Sequence, residues 1–312
     1  MLDFSHRLHR QPAAALAAEE FKVEIKYGKM IVTTALACVT SLCITPVAQA
    51  VPATDGADKT AEAIDSVAPF FDVANDGISR GEETIYGVAT RVATPEDLED
   101  GISIDTDSAE FGLALPQFED NNGAELADDG TIVYSGETDI AVQVGTDESV
   151  RVSTIVENDS SREFNYQFSE NITLYQNSDG SVSVYVDSGE DLLPVGTVEV
   201  PWARDATGTD VATSFAVAGN VLTQTVHVPT NASFPVVADP WFIPILGVAF
   251  RVTAHAASRM AARNISQAAV KAAIQYGRRT PGNQKGTSVY THGNVRVVVN
   301  DRTNAIITVT KR

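Results

Sequence analysis

The sequence predicts two domains: a mostly-β sandwich or barrel body, then a small α+β module of α-α-β-β-β order. Three observations predict it. From Ile85 to Val228, short runs of alternating apolar residues recur between Asp/Asn/Gly turn clusters. After Arg251 the alternation gives way to helical spacing and then returns. The charge changes sign at the same place. Residues 51–250 hold 6 Lys+Arg and 36 Asp+Glu, whereas residues 251–312 hold 11 Lys+Arg and the single acid Asp301. Over all 312 residues the chain is 44% hydrophobic and 20% charged, which excludes collagen-like, coiled-coil and wholly disordered classes.

Residues 1–50 read as a secretory signal. Lys22, Lys26 and Lys29 precede an apolar run that starts at Met30 and ends in Ala48-Gln49-Ala50, the small-residue pattern of a cleavage site. The run is too short and too rich in Thr and Ser for a membrane span, which needs ~20 predominantly apolar residues. Glu19 and Glu20 make the leading segment unusually long, so the start is expected nearer Val23. The mature chain is therefore expected outside the cytoplasmic membrane, secreted or at the cell surface, with no span after cleavage. Both cysteines, Cys38 and Cys43, fall inside the signal. The mature chain then has no disulfide, no thiolate nucleophile and no cysteine-bound metal.

Residues 51–84 read as an arm or a short helix from Ala57 to Val67. Residues 85–233 form the β-rich acidic domain. Its clearest strands are Thr131 to Tyr134, Ile140 to Val144, Val150 to Val156, Phe164 to Phe168, Ile172 to Tyr175 and Val182 to Val186. Further strand-like runs are Thr197 to Val200, Thr213 to Val217 and Leu222 to Val228. Residues 234–252 read as a linker, because Pro235 and Pro240 interrupt pairing and the charge reverses just beyond. The β-rich body followed by Pro235-Val236-Val237-Ala238-Asp239-Pro240-Trp241 resembles a recurrent build in secreted actinobacterial proteins, where variable C-terminal modules follow.

The basic module covers residues 253–312. A first helix spans Thr253 to Arg263. Ser266 is an N-cap for a second helix to Tyr276, with Ile265 and Val270 as its hydrophobic staple and Gly277 to end it. Arg278 to Asn283 reads as a basic loop. Three strands follow, at Ser288 to Thr291, Val295 to Val299 and Ala305 to Thr310.

His255, Arg259 and Arg263 are spaced by four and share one helix face. Such a stripe suits a phosphodiester, since guanidinium forks bind phosphate oxygens and an imidazole moves a proton near neutral pH. It is also what a solvated basic helix face presents. His292 sits at a hairpin tip near Tyr290 and Arg296, and a plain turn residue beside Gly293 would look the same. Arg278, Arg279 and Lys285 precede it, and Lys311 nearly ends the chain. RNA cleavage without metal needs a base for the 2′-hydroxyl, an acid for the leaving oxygen and cations for the crowded phosphate. His255, Arg259, Arg263 and His292 fill the catalytic places; Arg278, Arg279, Lys285, Arg296 and Lys311 fill the substrate-binding ones. Asp72, Asn75, Asp76 and Glu83 partly mimic a calcium loop, but Ala74 stands where a further oxygen ligand belongs. Neither a metal nor another cofactor is called for.

The run His255-Ala256-Ala257-Ser258-Arg259-Met260-Ala261-Ala262-Arg263-Asn264-Ile265-Ser266, followed by Val270, Ile274, Gly277, Tyr290, Val297-Val298-Val299 and Ile307-Thr308-Val309, resembles the H-A-x-x-R-M-x-x-R-x-I-S pattern of domain of unknown function 4258. The match spans about 254–311. The resemblance implies a compact toxin-like domain, of a group proposed to share the barnase–EndoU–colicin–RelE type of RNase fold. It points to His255, Arg259 and Arg263; His292 and the loop cations come from the chemistry alone. The resulting expectation is a secreted protein whose module cleaves RNA. The alternative is a non-catalytic module that binds RNA or another polyanion by counterion release, or a retired toxin fold. A toxin leaves room for a neutralising partner. The opposed charges also suggest that the acidic body masks the Arg259/Arg263 stripe.

Overall fold

In the computed structural model the short alternating runs pair into two sheets. It describes residues 56–74, 84–86, 90–116, 123–158, 162–247 and 250–312. The expected export signal, both cysteines, and Asn75, Asp76 and Glu83 of the calcium-like loop lie outside the described residues. The chain runs through α1 (Gly56–Val67), β1 (Thr84–Tyr86), β2 (Arg91–Ala93), β3 (Ile102–Asp105), β4 (Glu110–Ala114), β5 (Ala124–Leu126), β6 (Ile132–Tyr134), β7 (Thr138–Val144) and β8 (Val150–Val156). The body continues with β9 (Arg162–Phe168), β10 (Ile172–Gln176), β11 (Val182–Asp187), β12 (Leu192–Val198), β13 (Ala203–Arg204), β14 (Ala212–Ala218), β15 (Val221–His227), β16 (Val236–Ala238) and β17 (Trp241–Pro244). The module consists of β18 (Arg251–Val252), α2 (Ala254–Ala262), α3 (Gln267–Tyr276), β19 (Arg278–Pro281), β20 (Thr287–His292), β21 (Val295–Asn300) and β22 (Ala305–Lys311).

The smaller sheet has the order β1-β2-β3-β4-β9-β15-β14. The larger runs β19-β20-β21-β22-β18-β12-β17-β8-β7-β6-β5, with β10–β11 joined to β12 and β13–β16 joined to β8. Their facing sides form the main core. Phe111, Phe164, Tyr166 and Leu222 of the smaller sheet meet Val142, Val152, Val184 and Phe242 of the larger. This is the sandwich that the alternation predicts.

β8 departs from the half-buried pattern, since all seven of its residues are buried. The cause is α1, whose Ala57, Ala61, Ile64 and Val67 pack on Val133, Ala141 and Ile155 from the outer side. The segment after α1 then crosses β8 and encloses Arg151. Its guanidinium donates to Gln143 Oε1 at 2.6 and 2.9 Å and to the Pro69 carbonyl at 3.0 Å, and lies 4.3 Å from the Phe71 ring centroid. Burial lowers the Arg151 pKa to about 10.

Residues 234–252, expected as a linker, are largely strand. β16 and β17 both pair with β8, and β17 also pairs with β12. The prolines fit because they sit at strand ends: Pro240 lies between β16 and β17, and its carbonyl accepts from Val152 N at 2.9 Å. Gly196 of β12 permits the close approach of β17, for a Cβ there would lie 2.4 Å from the Ile243 carbonyl oxygen. β18 then pairs antiparallel with β12 through Leu192↔Val252 and parallel with β22 through Arg251↔Ala305 and Val252↔Ile306. Body and module lie in one compact unit, Pro52–Arg312.

The module's helices cover one face of its sheet. Ala256, Met260, Val270 and Ala273 pack on Val297, Val299, Ile306 and Val309. Tyr185 and Leu192 of the body belong to the same core. As expected, Ser266 caps α3, accepting from Ala269 N at 3.1 Å; Thr253 does the same for α2, accepting from Ala256 N at 3.1 Å. Arg278 to Pro281, expected as loop, form β19, because the β20 edge offers partners that a basic tetrapeptide does not advertise.

Asp239 of the proline-rich segment is fully buried. Its Oδ1 accepts from Trp202 N at 3.0 Å and Gln224 Nε2 at 3.2 Å, while Oδ2 has no hydrogen-bond partner among the described residues. Burial pushes its pKa from 3.8 up to about 8, against the opposing pull of those hydrogen bonds and Arg151. The folded state therefore keeps a proton that the unfolded state releases once pH exceeds 3.8.

Two outcomes follow from this packing. Because the seam is sheet and core, limited proteolysis leaves residues 236–244 uncut. Met260→Ala then lowers stability by ~2–5 kcal/mol in one urea transition that body and module probes share. Separate transitions would show that the seam does not couple them. For Asp239, the contribution to stability falls as pH rises from 3.8 toward about 8 and is level above that. Asp239→Asn removes this decline, seen as a flatter plot of urea midpoint against pH; an unchanged slope would assign the proton elsewhere.

Candidate functional site

α2 places His255, Arg259 and Arg263 as the four-residue spacing requires. Its inner face buries Ala256, Ala257 and Met260, so the stripe is carried on the outer side. His255 is exposed, and Arg259 and Arg263 are half-buried. Arg259 Nε donates to His255 Nε2 at 2.7 Å. In this arrangement Nε2 is an acceptor and the imidazole proton sits on Nδ1. Arg263 is the C-cap of α2, and Asn264 turns the chain away in a left-handed conformation with φ 49°. Among the described residues, no ion pair joins a body carboxylate to Arg259 or Arg263; the body's pairs, such as Arg162–Glu137 at 3.0 Å and Arg204–Asp210 at 3.1 Å, are internal to it.

The remaining cations fall into three other places. The first is the sheet face away from the helices. Arg278, Thr291, Arg296 and Thr310 form one cross-strand row there, because their neighbours Tyr290, Val297 and Val309 turn toward the helical core. The second is the β19 edge. Arg279 donates to Ser288 Oγ at 3.0 and 2.9 Å and to Asp301 Oδ1 at 3.1 Å, and Ser288 Oγ donates to Asp301 at 2.5 Å. Arg279 is thus neutralised by the module's one acid. With exposed Lys285, these groups line a shallow depression of about 480 Å³.

The third place is the hairpin tip. His292 lies in register with Val295, which is in register with Lys311, whose Nζ donates to the Asn264 carbonyl. The tip is far from His255. Thr253 N, beside the start of α2, donates to Ile306 O at 2.9 Å near the beginning of β22, whereas His292 lies in the row of Lys311 at its end. The five intervening steps of strand amount to ~17 Å. His255 and His292 do not converge on one phosphate. Sequence spacing could not show this, because it fixes neither the direction of α2 along β22 nor the register of the hairpin.

Sequence reasoning also passed over Tyr276 and Ser288. Tyr276 ends α3 and is 74% exposed, and its ring centroid lies 6.3 Å from that of His292. Its signal was its position outside the Val270/Ala273 stripe. Tyr276 also borders a groove of about 560 Å³ between α3 and the body, which carries Lys271, Asp179 and Glu199. Burial raises the Glu199 carboxyl pKa, and Asp179 adds to the shift.

Gly277 ends α3 as expected, and it also holds this end together. Its φ is −74°, so conformational freedom is not the reason for a glycine. A Cβ there would lie 2.2 Å from the Ala273 carbonyl oxygen and 3.1 Å from that of Thr291. Gly277→Ala is expected to cost ~1–3 kcal/mol in urea unfolding and to part the end of α3 from β20. A midpoint equal to that of the unaltered chain would show that the backbone yields without cost.

No curated protein and no solved structure matches the chain. Residues 252–311, from the last residue of β18 to the end of β22, match the family model DUF4258, a domain of unknown function.

Proposed function

We propose that the chain is an exported protein whose C-terminal module is an endoribonuclease that works without metal. The observation that carries this reading is the 2.7 Å contact of Arg259 Nε with His255 Nε2 on an exposed helix face, with Arg263 one turn further on. A phosphate is the natural competitor for Arg259, because a guanidinium binds an oxyanion more strongly than it binds a neutral imidazole. When the phosphodiester takes the Arg259 donors, His255 Nε2 is released beside it. The free lone pair then accepts the 2′-hydroxyl proton as that oxygen attacks phosphorus. Arg259 and Arg263 stabilise the added negative charge on the phosphate oxygens. The leaving 5′-oxygen takes its proton from solvent, since His292 is a strand length away. The products are a 2′,3′-cyclic phosphate and a 5′-hydroxyl.

The test uses the mature chain and total RNA, with and without a chelator. Cleavage is expected in both, with cyclic phosphate ends. Each of His255→Ala and Arg259→Ala is expected to slow it ~100-fold or more. Binding to labelled RNA should survive His255→Ala and weaken with Arg263→Ala. Absence of cleavage by the unaltered chain, alongside retained binding, would favour the polyanion-binding module instead.

A further inference from the structure

The tip of the module carries features that cleavage at His255 does not use. Tyr276 leaves most of its ring in water, although an aromatic ring contributes most when covered. His292 stands beside it, also exposed, with the ring planes tilted by 51°. Backbone contacts fix both rings: Gly277 seats the end of α3 against Thr291, and His292 closes β20 before the turn at Gly293, whose φ is 55°. A cation flanks the pair. Lys311 shares the cross-strand row of His292 two strands away, ~10 Å by strand spacing. Its bond to Asn264 occupies one ammonium proton and leaves two. Arg278, which follows Gly277, belongs to the Thr291 row on the opposite face of the sheet. The module's acid, Asp301, is paired with Arg279 near the start of β20 rather than at this end. On another side, across the groove, stand Asp179 and Glu199 of the body.

We propose that this tip is a subsite for single-stranded RNA, in which an unpaired base stacks on the Tyr276–His292 pair and a flanking phosphate lies toward Lys311. The proposal rests on the RNA reading above and specifies its substrate. Bases in a duplex are covered on both faces by their neighbours, so only an unpaired base can lie on an exposed ring. The Asp179/Glu199 wall repels phosphate and directs the strand away from the groove. Because His255 is a strand length away, the stacked base is some nucleotides from the bond that is cut. His292 therefore acts as a binding residue.

The test measures binding apart from cleavage. The mature chain carrying His255→Ala is titrated into a short fluorescein-labelled oligoadenylate and, separately, into an RNA duplex of the same length. Tyr276→Ala is expected to weaken oligoadenylate binding about tenfold and to leave duplex binding within error. Tyr276→Phe, which keeps the ring, should restore the loss. Lys311→Ala should weaken both RNAs and reduce the salt slope by about one unit. An unchanged urea midpoint confirms that each variant folds. If Tyr276→Ala leaves oligoadenylate binding intact, or weakens the duplex equally, the stacking subsite is wrong while cleavage at His255 stands. If neither RNA binds, both readings fall together.

Discussion

Val252 is the residue on which the arrangement of this chain depends. It has no exposed surface, and its two-residue strand is paired on both sides, to β12 of the body and to β22 of the module. Without β18 the larger sheet would be two sheets with two open edges, and an open edge is a template for wrong pairing. Around this seam the module's core takes in Tyr185 and Leu192 from the body, and Gln267 Nε2 donates to the Val184 carbonyl at 3.0 Å. A module of about 60 residues is near the lower limit for a self-sufficient core. Borrowing apolar surface from the body answers that limit.

The seam is apolar and backbone-bonded. Lys271 donates to the Leu246 carbonyl, Ser178 N donates to Ala261 O at 3.2 Å, and Tyr175 OH donates to Ala254 O at 3.4 Å. Each is a charged or neutral donor on a backbone carbonyl. None consumes a body carboxylate, so among the described residues the positive charge of the outer α2 face is not cancelled by direct pairing. At physiological salt the Debye length is ~8 Å, so body acids beyond that distance act weakly on this face. A basic face next to an acidic body can then attract a phosphate at close range while the chain as a whole stays soluble.

Body strands such as β9 and β15 were legible because each buries one face and so alternates. The cap of α3 was legible because Ser266 is a local signal that needs no distant partner. β18 and β19 were not. A two-residue strand has no period, and a strand rich in arginine has no apolar face; both exist through the partners that the rest of the fold supplies. Pro235 and Pro240 misled for a related reason. A proline excludes the middle of a strand, but it does not distinguish a loop from the short gap between two strands. Within the candidate site the same division holds. His255, Arg259 and Arg263 were legible because helix geometry alone brings them together, whereas the placing of His292 depends on strand register across the module.

The seam also bears on how the module would act. If it worked as a released fragment, cutting between body and module should free it. Cutting residues 234–252 would break the chain within strands β16 and β17 or near β18, yet Tyr185, Leu192 and Val184 would still hold α2 and α3 through core and hydrogen bonds. Release would have to break the Val252 seam and expose the apolar faces that it covers. The exposed stripe of α2 needs no such step. His255 is already on the outside while Met260, on the other side of the same helix, is fully buried. For the proposed ribonuclease the geometry therefore favours action in place on the intact chain, with the body as the module's structural partner.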